Sequence, residues 1–200
     1  MTVAINGTDL ITLADYKMLA GISSSNEDTK LEEIIDSVSQ LVKTYCGVSF
    51  LDYYSTPKTE FITRNFNTHI VELTESPVVS ITSISERLSP TQDYVLLTVN
   101  QDWVLDSTTD SVFRVSGATY KSWATGPNAI KIVYTAGYSA LPQDLRLAVV
   151  DLITYYHKNE QKQRQTIAGA TLQNQSSTSQ RGNVGFPDHI KRILDLYKMY

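Results

Sequence analysis

Apolar positions in the first fifty residues recur at helical spacing. Between Asn26 and Cys46, Leu31, Ile34, Ile35, Val38, Leu41, Val42 and Tyr45 hold one face, while Lys30, Glu33, Asp36, Gln40 and Lys43 hold the other. This predicts a long helix over 26–46, with Gly47 as its C-terminal cap. Ahead of it, Thr12-Leu13-Ala14-Asp15 reads as a capping box, which starts a short helix over 12–20 that stops at Gly21.

From Leu51 to Tyr138 the pattern changes to β-branched and aromatic runs broken by Pro, Gly, Asn and Ser. That is how short antiparallel strands read, and they are expected near 58–64, 69–73, 78–87, 93–98, 102–106, 111–116 and 129–135. The connections at Asn65–Asn67, Glu75–Pro77, Ser89-Pro90 and Ser107–Asp110 are short and polar, which predicts hairpins between neighbours.

The period switches again inside one turn. Ile130, Ile132 and Tyr134 alternate with Lys131, Val133 and Thr135, Gly137 ends the strand, and Pro142 opens a helix at its first position. Leu145, Ala148, Val149, Leu152, Ile153 and Tyr156 then form one apolar stripe over 142–158. After a Gln-, Ser-, Thr- and Asn-rich stretch, Pro187 starts a last amphipathic segment with Ile190, Ile193, Leu194 and Tyr197 on one face.

These elements define an α+β chain: a small helical bundle (helices near 12–20, 26–46, 142–158 and 187–199) with an inserted antiparallel β region over about 51–138. Residues 1–158 are expected to form a single domain, 159–186 a flexible polar tether, and 187–200 a C-terminal docking helix. From physics alone, such a helix either folds back on its own core or docks elsewhere.

Composition narrows the function more by exclusion than by assignment. An apolar fraction of 42% over 200 residues suits one folded domain with a core. The formal charge is −4, yet residues 142–200 carry eight Lys/Arg against five Asp/Glu, so the basic end is C-terminal. Without a Lys/Arg block, sequence-specific DNA reading is not expected. No N-terminal signal peptide is visible and no run approaches the ~20 apolar residues of a membrane span, so the protein is expected in the cytosol when made.

Cys46 is the only cysteine, which excludes an intramolecular disulfide and a cysteine-based zinc site; at a helix end it reads as core. His69, His157 and His189 stand at no metal-ligand spacing, and no metal or cofactor is expected. The stretch Gly117–Gly126 lacks the lysine-serine ending of a phosphate loop, and neither GxSxG nor HExxH occurs. Nothing in the sequence asks for catalysis. Tyr53, Tyr54, Tyr94, Trp103, Tyr120, Trp123 and Tyr134 are candidates for a stacking platform, although strand core and turn packing is the simpler reading.

Four pieces in this order, ITLADYKMLAG, the helix ending LVKTYCG, IKIVYTAGYSALPQDLRLAVVDLITYYHKN and FPDHIKRILDLY, resemble the head-tail connector (adaptor, or head-completion) proteins of tailed bacteriophages. The resemblance implies a structural, non-enzymatic virion protein that forms a ring of about twelve copies with heterologous contacts. It implies docking beneath the portal protein, contact with the tail or the next neck protein, and genomic DNA passing through the lumen without sequence-specific binding. The expected location is the virion neck, with assembly in the host cytoplasm and no membrane.

On that resemblance, portal docking falls to the tail: Pro187 sets the helix start, Ile190, Ile193, Leu194 and Tyr197 supply the apolar face, and Lys191, Arg192 and Lys198 meet acidic partner surface. Subunit packing is expected from Leu31, Ile35, Val38, Leu145, Val149 and Leu152, and tail-facing loops from Asn100, Gln101, Thr108, Thr109 and Asp110. Low net charge suits a channel through which DNA slides. The competing readings are a tail-side completion or terminator ring protein, and a non-viral small binding domain or enzyme with an aromatic ligand site.

Overall fold

Thr12 caps the first helix as its sequence predicts. In the computed structural model, which describes residues 8–158, 164–167, 170–173 and 186–198, its hydroxyl accepts the Asp15 N–H at 3.1 Å and donates to the Asp15 carboxylate at 2.9 Å. Helix α1 spans Leu13–Ala20 and ends at Gly21, whose φ of 69° is the left-handed conformation that glycine adopts without penalty. Helix α2 spans Asp28–Cys46 and closes in the same way at Gly47.

Helix α3 spans Gln143–His157 and α4 spans Asp188–Leu196. Both prolines sit one position earlier than expected. The Pro142 carbonyl accepts the Arg146 N–H and the Pro187 carbonyl accepts the Lys191 N–H, so each proline is the cap and not the first helical residue.

The chain divides into two compact units, Met1–Val48 with Ala140–Tyr200, and Ser49–Ser139. In the helical unit, His157 at the end of α3 meets Glu27 at the start of α2, at 3.0 Å, so the two helices run antiparallel. Tyr16 of α1 is buried and its hydroxyl bonds Thr154 of α3 at 3.2 Å.

Helix α4 packs against both α2 and α3. Phe186, Ile190 and Leu194 are at most 1% exposed, the Phe186 ring meets Tyr45 edge-on at 5.0 Å, and the Cys46 thiol donates to the Leu194 carbonyl. Of the two fates open to an amphipathic C-terminal segment, this one folds back.

The β unit holds two antiparallel sheets. One has the order β1 (Lys58–Arg64), β8 (Gly126–Ala136), β3 (Val78–Glu86), β4 (Val95–Leu96). The other runs β2 (Ile70–Glu72), β6 (Ser111–Ser116), β5 (Trp103–Asp106), with β7 (Thr119–Tyr120) also on β6. Val71, Leu73, Ile84, Val112, Trp123, Ile130, Ile132 and Tyr134 form its core.

The expected hairpins form at Ser89-Pro90, where β3 pairs β4, and at Ser107–Asp110, where β5 pairs β6. Those at Asn65–Asn67 and Glu75–Pro77 do not form, because β1 and β3 both pair with β8. The reason is register and not turn chemistry: β8 buries Ile130, Ile132, Tyr134 and Ala136, and a strand this buried takes a neighbour on each side.

The ends of the β unit are tied to each other. Tyr138 N–H donates to the Phe50 carbonyl at 2.8 Å and Ala136 N–H to the Tyr53 carbonyl at 3.0 Å. Gly137 is obligatory here: its φ is 98°, and a Cβ would stand 2.0 Å from the Phe50 oxygen.

Within the stretch expected to be a tether, β9 (Arg164–Ile167) and β10 (Ala170–Gln173) form an antiparallel pair. The rest of 159–185, on which the remainder of that expectation falls, lies outside the described residues.

Candidate assembly surfaces

The structure redistributes the residues that the sequence nominated for assembly. Leu31, Ile35, Val38, Leu145, Val149 and Leu152 are at most 2% exposed and pack inside the helical unit. They were expected at a subunit face, and within one chain they form an intramolecular core: two antiparallel helices bury their centre lines on each other first.

The C-terminal helix, expected to dock on the portal, also packs on its own chain. Ile190 and Leu194 are covered by the chain's own α2 and α3, Pro187 is buried, and Ile193 and Tyr197 are half-buried. Tyr197 donates to the Asp144 carboxylate at 2.7 Å, Tyr45 donates to Asp195, and the Lys198 ammonium stands 5.0 Å from the Tyr45 ring centre. The helix turns Leu196 outward, at 78% exposure, with Asp188, His189 and Arg192, and Lys198 just beyond it is exposed as well.

Burial also sets the chemistry of Cys46. Its thiol is pushed up to about 12, mainly by burial and secondarily by the nearby Asp195. At neutral pH it is a protonated core group and not a nucleophile.

Further apolar side chains of the helical unit are left outward, among them Leu147 of α3 at 60% exposure. At the end of α1, Met18 and Leu19 are 69% and 52% exposed. Along α2, Ile34 and Leu41 are half-buried in a groove of about 500 Å³ that also takes in Lys30, Glu33, Ser37 and Tyr156.

Among the loops expected to face the tail, Asn100, Gln101, Thr108 and Thr109 are exposed. Asp110 is turned inward instead, accepting from Ser76 Oγ at 2.6 Å and from Val78 N–H at 3.0 Å, so it braces the loop. The Asp106 carboxyl is held below its ordinary range, first by the Thr108 hydroxyl and then by the Thr108 N–H. This is a stiff turn.

Beside Asn100 lies an outward patch that sequence reading missed. Leu88, Val95, Leu96 and Val99 are all more than half exposed, and the first three border a pocket of about 610 Å³ with Arg87, Asp93 and Lys121. Underneath, Arg114 is 3% exposed and donates to Glu86 at 2.8 Å, to the Asp102 carboxylate at 3.3 Å and to the Asp102 and Val115 carbonyls. A buried guanidinium fully occupied in this way fixes the geometry of what lies above it.

Three of the aromatic residues named as platform candidates take the simpler role in the strand core. Trp103, Trp123 and Tyr134 are buried in the β core, whereas Tyr120 is exposed and stacks near His69 at 4.9 Å. Among the described residues no cluster of three or more His, Cys, Asp or Glu is placed to hold a metal ion, and no helix is long and apolar enough to cross a membrane.

A helical unit is interrupted by a β unit, and each turns apolar side chains outward. The Head completion protein family matches residues 9–200, and the chain belongs to that family. The head completion protein of Escherichia phage T5 is 24% identical over 199 residues, covering 94% of this chain and 98% of the relative.

Among solved structures, a chain from the neck of an empty gene transfer agent particle with C6 symmetry superposes with a TM-score of 0.61 at 15% identity, covering 100% of this chain and 94% of that one. A chain from the neck of the native particle, with C12 symmetry, gives 0.61 at 16% identity, covering 100% and 93%. At these identities the likeness establishes the shared fold.

Proposed function

We propose that this chain is a non-enzymatic structural protein of the virion neck, forming a ring of about twelve copies that docks under the portal, joins the DNA-filled head to the tail and continues the DNA channel. The observation that carries the reading is family membership over nearly the whole chain, together with outward apolar surfaces on both units. An acidic chain repeated around a ring repels the DNA backbone, which favours passage over retention.

Portal docking through the C-terminal helix takes a modified form. Its apolar face is already used, so contact falls to Leu196, Arg192 and Lys198 on the outer side, with α4 presented as part of a rigid helical unit. The surface around Leu88, Val95, Leu96, Val99 and Asn100 is the candidate for the next neck protein.

The test is to add the purified protein to DNA-filled heads that lack it and image the vertex by electron microscopy. A ring seated on the portal is the expected outcome. Binding to isolated tail tubes and not to heads would favour the tail-side terminator reading.

A further inference from the structure

The strands β9 and β10 hydrogen-bond to each other, with Thr171 opposite Thr166, and to no third strand among the described residues. Neither packs against α1, α2, α3 or α4. A two-stranded hairpin by itself is marginal in water, because one ladder of hydrogen bonds does not offset the chain entropy it costs; a third strand or a covering helix has to supply the rest. The length of chain is also surplus to its local task. Helices α3 and α4 pack on each other, yet thirty residues separate His157 from Asp188, where a connection between packed helices usually takes about two to eight.

The β unit has an edge of the matching kind. β1 spends one side on β8, and on the other side no backbone group of Lys58–Arg64 meets a further backbone partner among the described residues. At seven residues it is long enough for the four-residue strands of the hairpin. The alternatives fit less well: β2, β4 and β7 have three residues or fewer, and the outer side of β5 already meets Val99 at Trp103. The uncovered stretch of β3 is broken by two register shifts, whereas β1 keeps its register from Lys58 to Ile62. An open ladder of this kind is a template for a strand from another chain.

Charge and symmetry select the other chain. Residues 159–185 carry Lys162, Arg164 and Arg181 against Glu160 in a chain of formal charge −4, so a basic segment meets an acidic body on any second copy. Hairpin and edge are different patches, and a contact between different patches closes into a ring and not into a two-fold dimer.

We propose that, in the ring on which this inference rests, the β9–β10 hairpin of one copy adds to the β1 edge of the next, so that the sheet continues across the subunit boundary.

Hydrogen exchange of the full-length chain, read by mass spectrometry before and after rings form on portal-bearing heads, tests it. Peptides covering 58–64 and 164–173 should both slow at least about tenfold in the ring. Protection of 164–173 without 58–64 would mean that the hairpin docks on the portal or another surface, and it overturns the inference while leaving the ring reading intact, as does protection of neither. Failure of the wild-type chain to form any ring overturns both.

Two further readouts separate a contact between copies from a role within one. Thr171→Pro, which breaks the hairpin ladder, should leave the unfolding transition of the subunit near that of wild type and lower the yield of rings. Rings at wild-type yield with 58–64 still protected would overturn the inference. Chains carrying Thr59→Cys and Thr166→Cys, mixed in rings with the buried Cys46 retained, should be joined to each other by a bis-maleimide, and rings without that mixed product would also overturn it.

Discussion

The Tyr197 hydroxyl, just past α4, donates a 2.7 Å hydrogen bond to the carboxylate of Asp144 in the first turn of α3. This bond is the chief reason that the Asp144 carboxyl lies below its ordinary range. A depressed carboxylate contributes stability above its unfolded value of about 3.9, and loses it as pH falls through the lower folded value. Tyr197→Phe should therefore unfold at lower temperature than wild type at pH 7, with the gap narrowing below about pH 4. Thermal scans across that range check it; a gap that widens in acid would remove the assignment.

The C-terminal helix should be needed for folding of the helical unit as well as for any docking. Ile190 and Leu194 are buried, and deleting such side chains costs about 2–5 kcal/mol each. Leu194→Ala should lower the denaturation midpoint accordingly, and removal of residues 187–200 should leave α2 and α3 poorly ordered. A truncated chain as stable as wild type would show that α4 is not core.

In the β unit, Arg114→Ala leaves Glu86 buried without its partner and should destabilise by about 3–5 kcal/mol. Replacing both residues by methionine should recover most of that loss, because the penalty comes from the stranded charge. Urea unfolding of the single and double variants reads the difference.

Gly137→Ala tests a different constraint. The new Cβ would clash with the Phe50 carbonyl at a backbone angle that disfavours L side chains, so the cost should be well above about 1 kcal/mol. An unchanged melting temperature would mean that the Phe50–Tyr138 closure is not tight in solution.

Cys46 should resist labelling. With the thiol pushed up to about 12 and fully buried, a thiol reagent at pH 8 should react with it only at the rate of opening or after denaturation. Rapid labelling of the native chain would contradict its place beneath Leu194.

Most elements could be read from the sequence because their signals are local. The Thr12–Asp15 box and the stops at Gly21 and Gly47 lie within a few residues of the helix ends they set, and the strands at 58–64 and 111–116 have the expected bounds. Pairing was less legible. Alternation shows which side of β1 is buried, but not that its neighbour is β8, some seventy residues away, so two expected hairpins were misplaced.

The assembly residues were least legible, since a stripe of apolar positions does not say whether the covering surface belongs to the same chain. Ile34 and Leu41 were visible as members of the α2 stripe, and only their lie at its edge distinguishes them from Ile35 and Val38. Val95, Leu96 and Val99 lie in one short apolar run that reads as a strand, and only the fold shows that these three side chains face outward with Leu88.

The closure of the β unit on itself has a consequence for what evolution can do with this chain. Because Phe50 and Tyr138 are already hydrogen-bonded neighbours, the helical unit experiences the whole of 51–137 as one short bridge between α2 and α3, whatever its contents. Lengthening, trimming or exchanging that cassette leaves the helix-to-helix span unchanged, so the helical unit can stay constant while the cassette diverges.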